Sequence, residues 1–401
     1  MTPRTASRRR LAAVIAVLGS VVAAGGVAAS PPVAAPPAID ADGALSAAIE
    51  ARMAELLVPG AVVLVRTPEW GWMEAFGTRA VGADDPVTTE DHFRIGSNTK
   101  TMTGTVLLQL VDEDRVALDD PVSKFLPDVP NGDAITVEQL LTMRSGLYNY
   151  SELLSFNVEL DEDPSRVWVP EELAAIGLAE PVYFAPGEGF HYSNTNTVLA
   201  GLIVEQLTGS RLEDVFAERL FEPLGLTETS FPAIDIAGLP EPHPRGYLFG
   251  TNVDTVDDPA LPPDVQAAAH AGRLLPNDVT ELNPSWGWAA GAAISTAEDL
   301  ATYVEALIGG EFLSPELQRR RLDSLESSEP GNPDAAGYGL ALAQFGPMIG
   351  HDGSLPGFQS FMGHDPGTGT TLIVLTNLQA APSGEQVANE LAMVVLGELY
   401  R

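Results

Sequence analysis

Two side chains with complementary chemistry stand three residues apart in this sequence, Ser97 and Lys100. Apolar residues at helical spacing follow them (Met102, Val106 and Leu110), so the pattern predicts a helix that begins at the serine. Residues three apart share one face of a helix, so the lysine amine can lie beside the serine hydroxyl. A serine hydroxyl becomes nucleophilic when a base takes its proton, and lysine is such a base when burial or another cation lowers its pKa. The free N–H groups at a helix start also favour negative charge on the serine oxygen.

The simpler interpretation of this pair is a polar helix cap followed by a surface lysine. Lysine usage argues against it, because the chain has only two lysines, Lys100 and Lys124, among 21 basic residues. Arginine cannot lose its proton at working pH, so a basic side chain that acts as a base has to be lysine. Lys124 has Pro121 three positions before it, which leaves Ser97 and Lys100 as the one pair of this kind.

A second candidate is Tyr192-Ser193-Asn194, just before a predicted helix. Residues two apart in an extended segment point the same way, so Tyr192 and Asn194 can face one cavity. A Tyr192 phenolate stabilised by Lys100 is a candidate general base, and the Asn194 amide can hold a substrate carbonyl. Taken alone, a half-buried tyrosine and a helix-capping asparagine explain the segment more simply.

A third candidate is His351-Asp352-Gly353-Ser354. Gly353 lets a strand backbone come close to a ligand. The N–H of Ser354, paired with that of Ser97, can form an oxyanion hole. His351 can place a polar or cationic group near the leaving group. Alone, a turn between two strands explains this segment equally well.

The elements that must position these residues follow from hydrophobic periodicity. Strands are predicted near both ends of the chain and helices in the middle. This pattern predicts one α/β unit, residues 41–95 and 285–401, with a mostly helical region, residues 96–284, inserted in it. Ser97 falls where the two parts meet, a common place for a ligand site. Residues 232–284 lack periodicity, and a connection of that length is usually functional or mobile. The clearest elements are helices at 45–57, 195–207 and 386–399 and strands at 61–65, 70–78, 358–362 and 370–376.

The N-terminus has the composition of an export signal. Arg4 and residues 8–10 are basic, and the apolar run 11–29 follows them. We expect a cleaved signal peptide at residues 1–29, a Pro/Ala-rich linker at 30–40 and one folded domain at 41–401. The protein is therefore expected to be secreted. An uncleaved membrane anchor is the alternative, since the run is just long enough to span a bilayer.

Composition excludes several classes of function. A net charge of −34 argues against nucleic acid and anionic lipid as partners. The absence of cysteine excludes disulfides and thiolate catalysis. The six histidines show no metal-binding spacing, and no Gly-rich phosphate loop follows a strand. We expect no metal, no cofactor and a monomer, with His92, His243 and His270 on the surface.

The three motifs, in this order, resemble those of the penicillin-recognising serine hydrolases. That family contains D-alanyl-D-alanine carboxypeptidases, class C β-lactamases and related esterases and D-aminopeptidases. The resemblance runs from about residue 45 to the C-terminus and includes segments at 116–122, 135–142, 145–150, 223–226 and 291–295. It implies an α+β fold of the β-lactamase and DD-peptidase type, in which an antiparallel sheet is flanked by the N- and C-terminal helices and a mostly helical region is inserted.

The resemblance also implies acyl transfer. Ser97 would form an acyl-enzyme that water hydrolyses, and Lys100 and Tyr192 would share the proton movement. Which of the two is the base stays open, because coupled groups titrate as a pair. The candidate substrate-binding residues are Asn194, His351, Asp352, Gly353, Ser354 and Trp286.

Two departures from the family pattern bear on the substrate. Most members have lysine where this chain has His351, and secreted carboxypeptidases with a His-Thr-Gly version are the most similar. Members usually carry Thr or Ser, which helps to bind a substrate carboxylate, where this chain has Asp352. An ionised Asp352 would repel that carboxylate by roughly 1–4 kcal/mol at close range. Carboxypeptidases of this style also place an arginine after a Gly-Tyr-Gly-Leu strand, and residues 337–343 contain none.

Three functional hypotheses follow. The first is a D-alanyl-D-alanine carboxypeptidase acting on cell-wall peptides, and the second is an esterase or β-lactamase on the same scaffold. The third is a protein that binds wall peptides or β-lactams without turnover, although a pure binder has no need of a base. Trp286, Trp288 and Phe156 are candidates for the pocket lining, though large aromatic residues are more often core.

Overall fold

The computed structural model describes residues 43–329 and 336–400. The predicted signal peptide and linker lie outside these described residues, so both stay predictions. Within the described residues, no helix is long and apolar enough to cross a membrane.

An antiparallel sheet of eight strands forms the centre of the fold, in the order β2-β1-β12-β11-β10-β9-β8-β7. Short pairs β3–β6 and β4–β5 form two separate two-stranded sheets. The strands are β1 (Gly60–Arg66), β2 (Gly71–Gly77), β3 (Phe93–Arg94), β4 (Tyr247–Leu248), β5 (Asn277–Asp278), β6 (Ile294–Ser295), β7 (Glu326–Ser327), β8 (Gly337–Tyr338), β9 (Ala343–Phe345), β10 (Met348–Leu355), β11 (Phe358–Asp365) and β12 (Thr370–Thr376).

Helices cover both faces of this sheet. They are α1 (Ala44–Leu56), α2 (Thr99–Asp112), α3 (Val137–Leu141), α4 (Leu154–Glu162), α5 (Pro170–Leu178), α6 (Asn194–Thr208), α7 (Leu212–Phe216), α8 (Glu222–Leu224), α9 (Asn252–Thr255), α10 (Pro263–His270), α11 (Ala297–Gly309), α12 (Pro315–Asp323) and α13 (Val387–Leu399). Short 3₁₀ turns complete the fold, among them Gly96–Asn98 before α2, Tyr150–Glu152 before α4 and Trp288–Ala290 before β6.

Alternation along the central strands decides which helices pack on which face. Val63 of β1 and Val374 of β12 lie opposite each other and pack with α1 and α13. The neighbouring pair, Leu64 and Ile373, faces the other way and packs with α2 and α11. The N- and C-terminal helices therefore share one face, and the helical region meets the opposite face.

This architecture confirms the predicted fold class, a β-lactamase-like antiparallel sheet flanked by terminal helices with a mostly helical insertion. The sequence did not predict strand β10. The segment from Met348 to Leu355 is a full strand, so the motif at 351–354 lies inside β10 rather than in a turn between strands.

The long connection at 232–284 is only sparsely structured, as its composition predicted. It crosses the tip of the β10–β11 hairpin, where the N–H of Tyr247 donates to Gly357 O at 3.1 Å and to Asn377 O at 3.0 Å. The prediction that His92 lies on the surface is wrong. Its side chain is buried, with one ring nitrogen 3.0 Å from Pro242 O and the other 3.2 Å from Glu228 Oε2.

Candidate active site

Ser97 lies in the 3₁₀ turn that leads into α2. The turn is fixed to the sheet by Asn98, whose Nδ2 donates to Ile95 O at 2.9 Å and to Ser360 Oγ of β11 at 2.7 Å. The Ser97 side chain stays partly exposed, whereas the flanking Gly96 is buried. The predicted nucleophile therefore stands in a turn that is fixed to the sheet, and its side chain is partly exposed.

Lys100 is fully buried, and its amine contacts three neutral oxygen atoms. Nζ lies 3.0 Å from Ser97 Oγ, 2.7 Å from Asn194 Oδ1 and 2.8 Å from Ala290 O. Burial holds the pKa of Lys100 well below its usual 10.5, although the negative charge of Asp352 acts in the opposite direction. The alternative of a surface lysine is therefore excluded.

When Lys100 is neutral, the three contacts of Nζ have one consistent arrangement. A neutral amine has two N–H groups and one lone pair. The oxygens of Asn194 and Ala290 can only accept hydrogen bonds, so they take the two N–H groups. The lone pair is then left for Ser97, the remaining contact and the one that carries a proton to give. In this state Lys100 can accept the serine proton.

Tyr192 lies beside this pair, with the Lys100 amine 4.8 Å from the centre of its ring. Burial and the nearby Tyr338 raise the pKa of Tyr192 well above 10, and a hydrogen bond with the Ser97 hydroxyl opposes them only in part. The phenol therefore keeps its proton where Lys100 is neutral. This difference favours Lys100 over Tyr192 as the base and leaves Tyr192 as a proton donor.

Asn194 is the first residue of α6, and its side chain does not cap the helix. Its Oδ1 accepts from Lys100, and its Nδ2 donates to Ser151 Oγ at 3.0 Å. Its backbone N–H donates to Asn149 Oδ1, also at 3.0 Å. One of the two hydrogens on Nδ2 has no partner among these contacts, so it is compatible with the predicted role of Asn194 in holding a substrate carbonyl.

Two glycines allow β10 to approach the serine turn. A Cβ on Gly353 would lie 2.1 Å from Ile95 O, and one on Gly96 would lie 2.7 Å from Ser354 N. Strand β9 pairs with residues 348–350 of β10, and beyond that point the serine turn takes the place of a neighbouring strand. The backbone of Ser354 therefore lies close to the serine turn. This placement is compatible with the predicted oxyanion hole, which stays a prediction.

His351 is buried between two tyrosine rings. Its ring centre lies 6.0 Å from that of Tyr192 and 5.7 Å from that of Tyr338. Its Nε2 faces Tyr338 Oη at 3.3 Å, and its Nδ1 lies 2.6 Å from the backbone oxygen of Asp352. Both ring nitrogens have a polar partner. The His351 ring therefore packs against Tyr192 with no ring nitrogen left for a further contact.

Asp352 follows His351 on β10, and its Oδ1 lies 3.5 Å from His351 Nδ1. Its Oδ2 accepts from Asn389 Nδ2 of α13 at 2.9 Å, and its side chain is 17% exposed. Its negative charge nevertheless reaches the site, because it raises the pKa of Lys100, Tyr192 and Tyr338.

The aromatic candidates for the pocket lining form part of the core. Trp286 is only 9% exposed, and Phe156 and Trp288 are 2% exposed. Trp286 packs against Phe156, with ring centres 6.2 Å apart, and its backbone oxygen accepts from Tyr150 Oη at 2.6 Å. Their burial supports a role in the hydrophobic core rather than in lining a pocket.

Sequence reasoning missed several residues that hold the site together. Ala290 supplies only a backbone oxygen, so no side-chain pattern could identify it. Asn149 and Ser151 lie in the segment 145–150 and just after it, a stretch noted only for its resemblance to the family. Tyr338 lies in a segment that matches the family pattern except for a missing arginine, and no spacing in the sequence links this tyrosine to His351 or Tyr192.

The family assignment can now be made. A family model described as Beta-lactamase matches residues 45–396. This chain therefore belongs to the β-lactamase family of serine hydrolases, as the three motifs indicated. The chain has the fold of an enzyme family, and its predicted nucleophile, Ser97, is in hydrogen-bond contact with Lys100.

More particular similarities lie with amidohydrolases and with a staphylococcal protein. A D-stereospecific amidohydrolase from Streptomyces sp. is 32% identical, with a TM-score of 0.72 over 85% of this chain and 96% of that one. A D-amino acid amidase from Ochrobactrum anthropi SV3 is 28% identical, with a TM-score of 0.73 over 89% of this chain and 98% of that one. Protein flp from Staphylococcus aureus (strain COL) is 26% identical over 80% of this chain, and the match covers 60% of the length of that protein.

The lowered pKa of Lys100 predicts a pH dependence of stability. Between that lowered pKa and about 10.5 the unfolded chain binds a proton that the folded protein does not, so the free energy of unfolding rises with pH in this window. We expect this rise to be smaller in Lys100→Met. Denaturant unfolding at pH values from 6 to 10 measures it. Lys124→Met, at a lysine that is 52% exposed, is the control. Equal slopes in wild type and Lys100→Met would contradict the assignment.

The close contact at Gly353 predicts a loss of turnover when a side chain is added there. In Gly353→Ala the added methyl group pushes β10 away from Ile95 and separates the two oxyanion donors. We expect kcat for a p-nitrophenyl ester to fall on the order of 100-fold, as when one such donor is lost. Gly397→Ala in α13, where a Cβ meets nothing within 4 Å, is the matched control. Near-normal kcat in a folded Gly353→Ala protein would exclude this oxyanion hole.

Proposed function

We propose that this protein is a serine amidohydrolase that acts through an acyl-enzyme on Ser97. Its substrates are amides, short peptides or esters of D-amino acids that lack a free carboxylate next to the scissile bond. The observation that carries the substrate class is Asp352, a carboxylate at the position where related enzymes bind a substrate carboxylate. The similarity to a D-stereospecific amidohydrolase and a D-amino acid amidase supports the proposal.

The proposed mechanism begins with neutral Lys100, which takes the proton of Ser97 as the serine oxygen attacks the substrate carbonyl. The N–H groups of Ser97 and Ser354 stabilise the oxyanion. The proton then passes from Lys100 to the leaving nitrogen or oxygen through the neutral phenol of Tyr192, which donates its own proton and is reprotonated. Water then attacks the carbonyl of the acyl-enzyme and gives its proton to Tyr192 and Lys100. Lys100 returns a proton to the Ser97 oxygen as the acid product leaves.

Substrate choice follows from charge. The Asp352 carboxyl is held in place by a hydrogen bond from Asn389. An anionic substrate group close to this carboxylate is disfavoured by roughly 1–4 kcal/mol, and a cationic group is favoured to a similar extent. The net charge of −34 acts in the same direction at longer range.

A D-alanyl-D-alanine carboxypeptidase is the second candidate. The form of the third motif, His351-x-Gly353, favours it, because secreted carboxypeptidases with a His-Thr-Gly motif are similar there. Asp352 argues against it, since the natural carboxypeptidase substrate ends in a carboxylate. Turnover of benzylpenicillin, which also carries a carboxylate, is disfavoured for the same reason.

We also propose that the protein is exported, on the basis of the basic residues near the N-terminus and the apolar run at 11–29. Mass spectrometry of the protein recovered outside the cell tests this. A mature N-terminus near residue 30 supports a cleaved signal, whereas retention of residues 1–29 in the membrane fraction supports the anchor.

A matched pair of substrates tests the proposed specificity. N-acetyl-D-alanyl-D-alanine and its C-terminal amide share the bond between the two alanines and differ by one negative charge, and release of alanine or alaninamide measures cleavage of that bond. We expect kcat/KM for the amide to exceed that for the acid at least about 10-fold, which corresponds to 1.4 kcal/mol. Asp352→Asn, which keeps the size and the contact with Asn389, should narrow this ratio, and Ser97→Ala should abolish both activities.

Each other outcome has a defined meaning. A preference for the acid in the wild-type protein would overturn the proposed substrate class and favour the carboxypeptidase. Unchanged activity in Ser97→Ala would overturn the acyl-enzyme mechanism itself. An amide preference that Asp352→Asn does not alter would assign the selectivity to another group.

A further inference from the structure

Glu152 collects three hydrogen bonds behind the site, from three separate segments of the chain. Its Oε1 accepts from Asn149 Nδ2 at 3.0 Å and from His191 Nε2 at 3.1 Å, with the tautomer of His191 that carries its proton on Nε2. Its Oε2 accepts from Tyr183 Oη at 2.7 Å. The side chain is 20% exposed. A carboxylate is well suited to this position, because it only accepts and can satisfy all three donors.

A chain of hydrogen bonds leads from Glu152 to the lysine. Because Asn149 donates its Nδ2 to Glu152, its Oδ1 is left to accept from the backbone N–H of Asn194 at 3.0 Å and from Ser151 Oγ at 3.1 Å. The Ser151 oxygen in turn accepts from Asn194 Nδ2 at 3.0 Å. Each donor and acceptor in this series has one compatible assignment once Glu152 is fixed.

This chain of hydrogen bonds sets the orientation of the Asn194 amide. With Nδ2 directed at Ser151, Oδ1 faces Lys100 Nζ at 2.7 Å. The reverse orientation would place an N–H group against the amine and remove one of its two fixed acceptors. The lone pair of Lys100 would then no longer be directed at Ser97 alone.

Glu152 also supports the segment that carries Tyr192. His191 stacks on Tyr183 with ring centres 3.6 Å apart, and Tyr183 stacks on Tyr148 at 5.0 Å. Glu152 bonds to the polar atoms of both His191 and Tyr183, so it fixes the first two rings of this stack relative to each other. His191 immediately precedes Tyr192, so the same carboxylate limits the movement of the proposed proton donor.

We propose that Glu152 is a positioning residue for the hydrolytic reaction, which sets the Asn194 amide so that neutral Lys100 presents its lone pair to Ser97. The inference rests on the proposed acyl-enzyme mechanism but not on the proposed substrate class. Glu152 touches neither Ser97 nor Lys100 and acts through Asn149 and Asn194.

The pre-steady-state burst of p-nitrophenol from p-nitrophenyl acetate tests this role, because it measures acylation of Ser97 directly. We expect Glu152→Ala to slow acylation about 10- to 100-fold, as expected for a small misplacement of catalytic groups. Glu152→Gln should recover most of the rate, since its oxygen still accepts from Asn149 and His191. Glu205→Ala is the control, at a half-buried glutamate near the other end of α6 that accepts from Leu212 N.

A double-mutant cycle separates positioning from general structural support. If Glu152 acts through Asn194, the loss caused by Glu152→Ala should largely disappear in an Asn194→Ala background. If the two losses multiply, Glu152 supports the fold by another route and the proposal is wrong. Tyr183→Phe removes one donor with little change of packing, and it should slow acylation less than Glu152→Ala while the midpoint of thermal unfolding stays close to the wild-type value.

The outcomes also separate this inference from the proposed function. Failure of the wild-type protein to show a Ser97-dependent burst would overturn the proposed acyl-enzyme. A normal wild-type burst that is unchanged in folded Glu152→Ala would overturn only the role of Glu152. Should Glu152→Ala fail to fold, the comparison is made with Tyr183→Phe, and a wild-type acylation rate in that folded variant would contradict the proposal.

Discussion

The burial of one lysine among neutral acceptors is the constraint on which this site depends. Lys100 is fully buried, yet its contacts are a hydroxyl, an amide oxygen and a backbone carbonyl. A buried ammonium without a close counterion is costly, so burial lowers the pKa of the amine. The cost to stability is the source of reactivity, because only the neutral amine can serve Ser97 as a base.

The surrounding fold supplies that environment from distant parts of the sequence. The start of α6 provides Asn194, and the turn at 288–290 provides the Ala290 carbonyl. Trp288 in this turn has a positive φ of 31°, a strained conformation that packing around it must maintain. The charge of Asp352 acts against the lowered pKa of Lys100 and also disfavours substrate carboxylates, so one residue affects both the base and the choice of substrate.

Local patterns in the sequence located the nucleophile and its neighbour, because the spacing of Ser97 and Lys100 is a property of one helix. The same holds for the central strands, whose apolar runs predicted β1 and β12. Prediction failed where contacts are non-local. Trp286 seemed a candidate for the pocket lining but packs in the core, and His92 is buried under the 232–284 connection. Asn149, Ser151 and Glu152 carried no distinctive pattern, since their roles depend on which groups the fold brings beside them.

The sequence by itself determined the family, the fold class and the three motifs, because these follow from residue types at short spacings and from their order along the chain. The tertiary structure decided the chemical state of those residues. Whether Lys100 is charged, whether Tyr192 keeps its proton and which way the Asn194 amide points all depend on desolvation and on hydrogen-bond partners tens to hundreds of residues away. Those quantities arise only when the chain packs, since a pKa reflects the complete surroundings of a group rather than its neighbours in sequence.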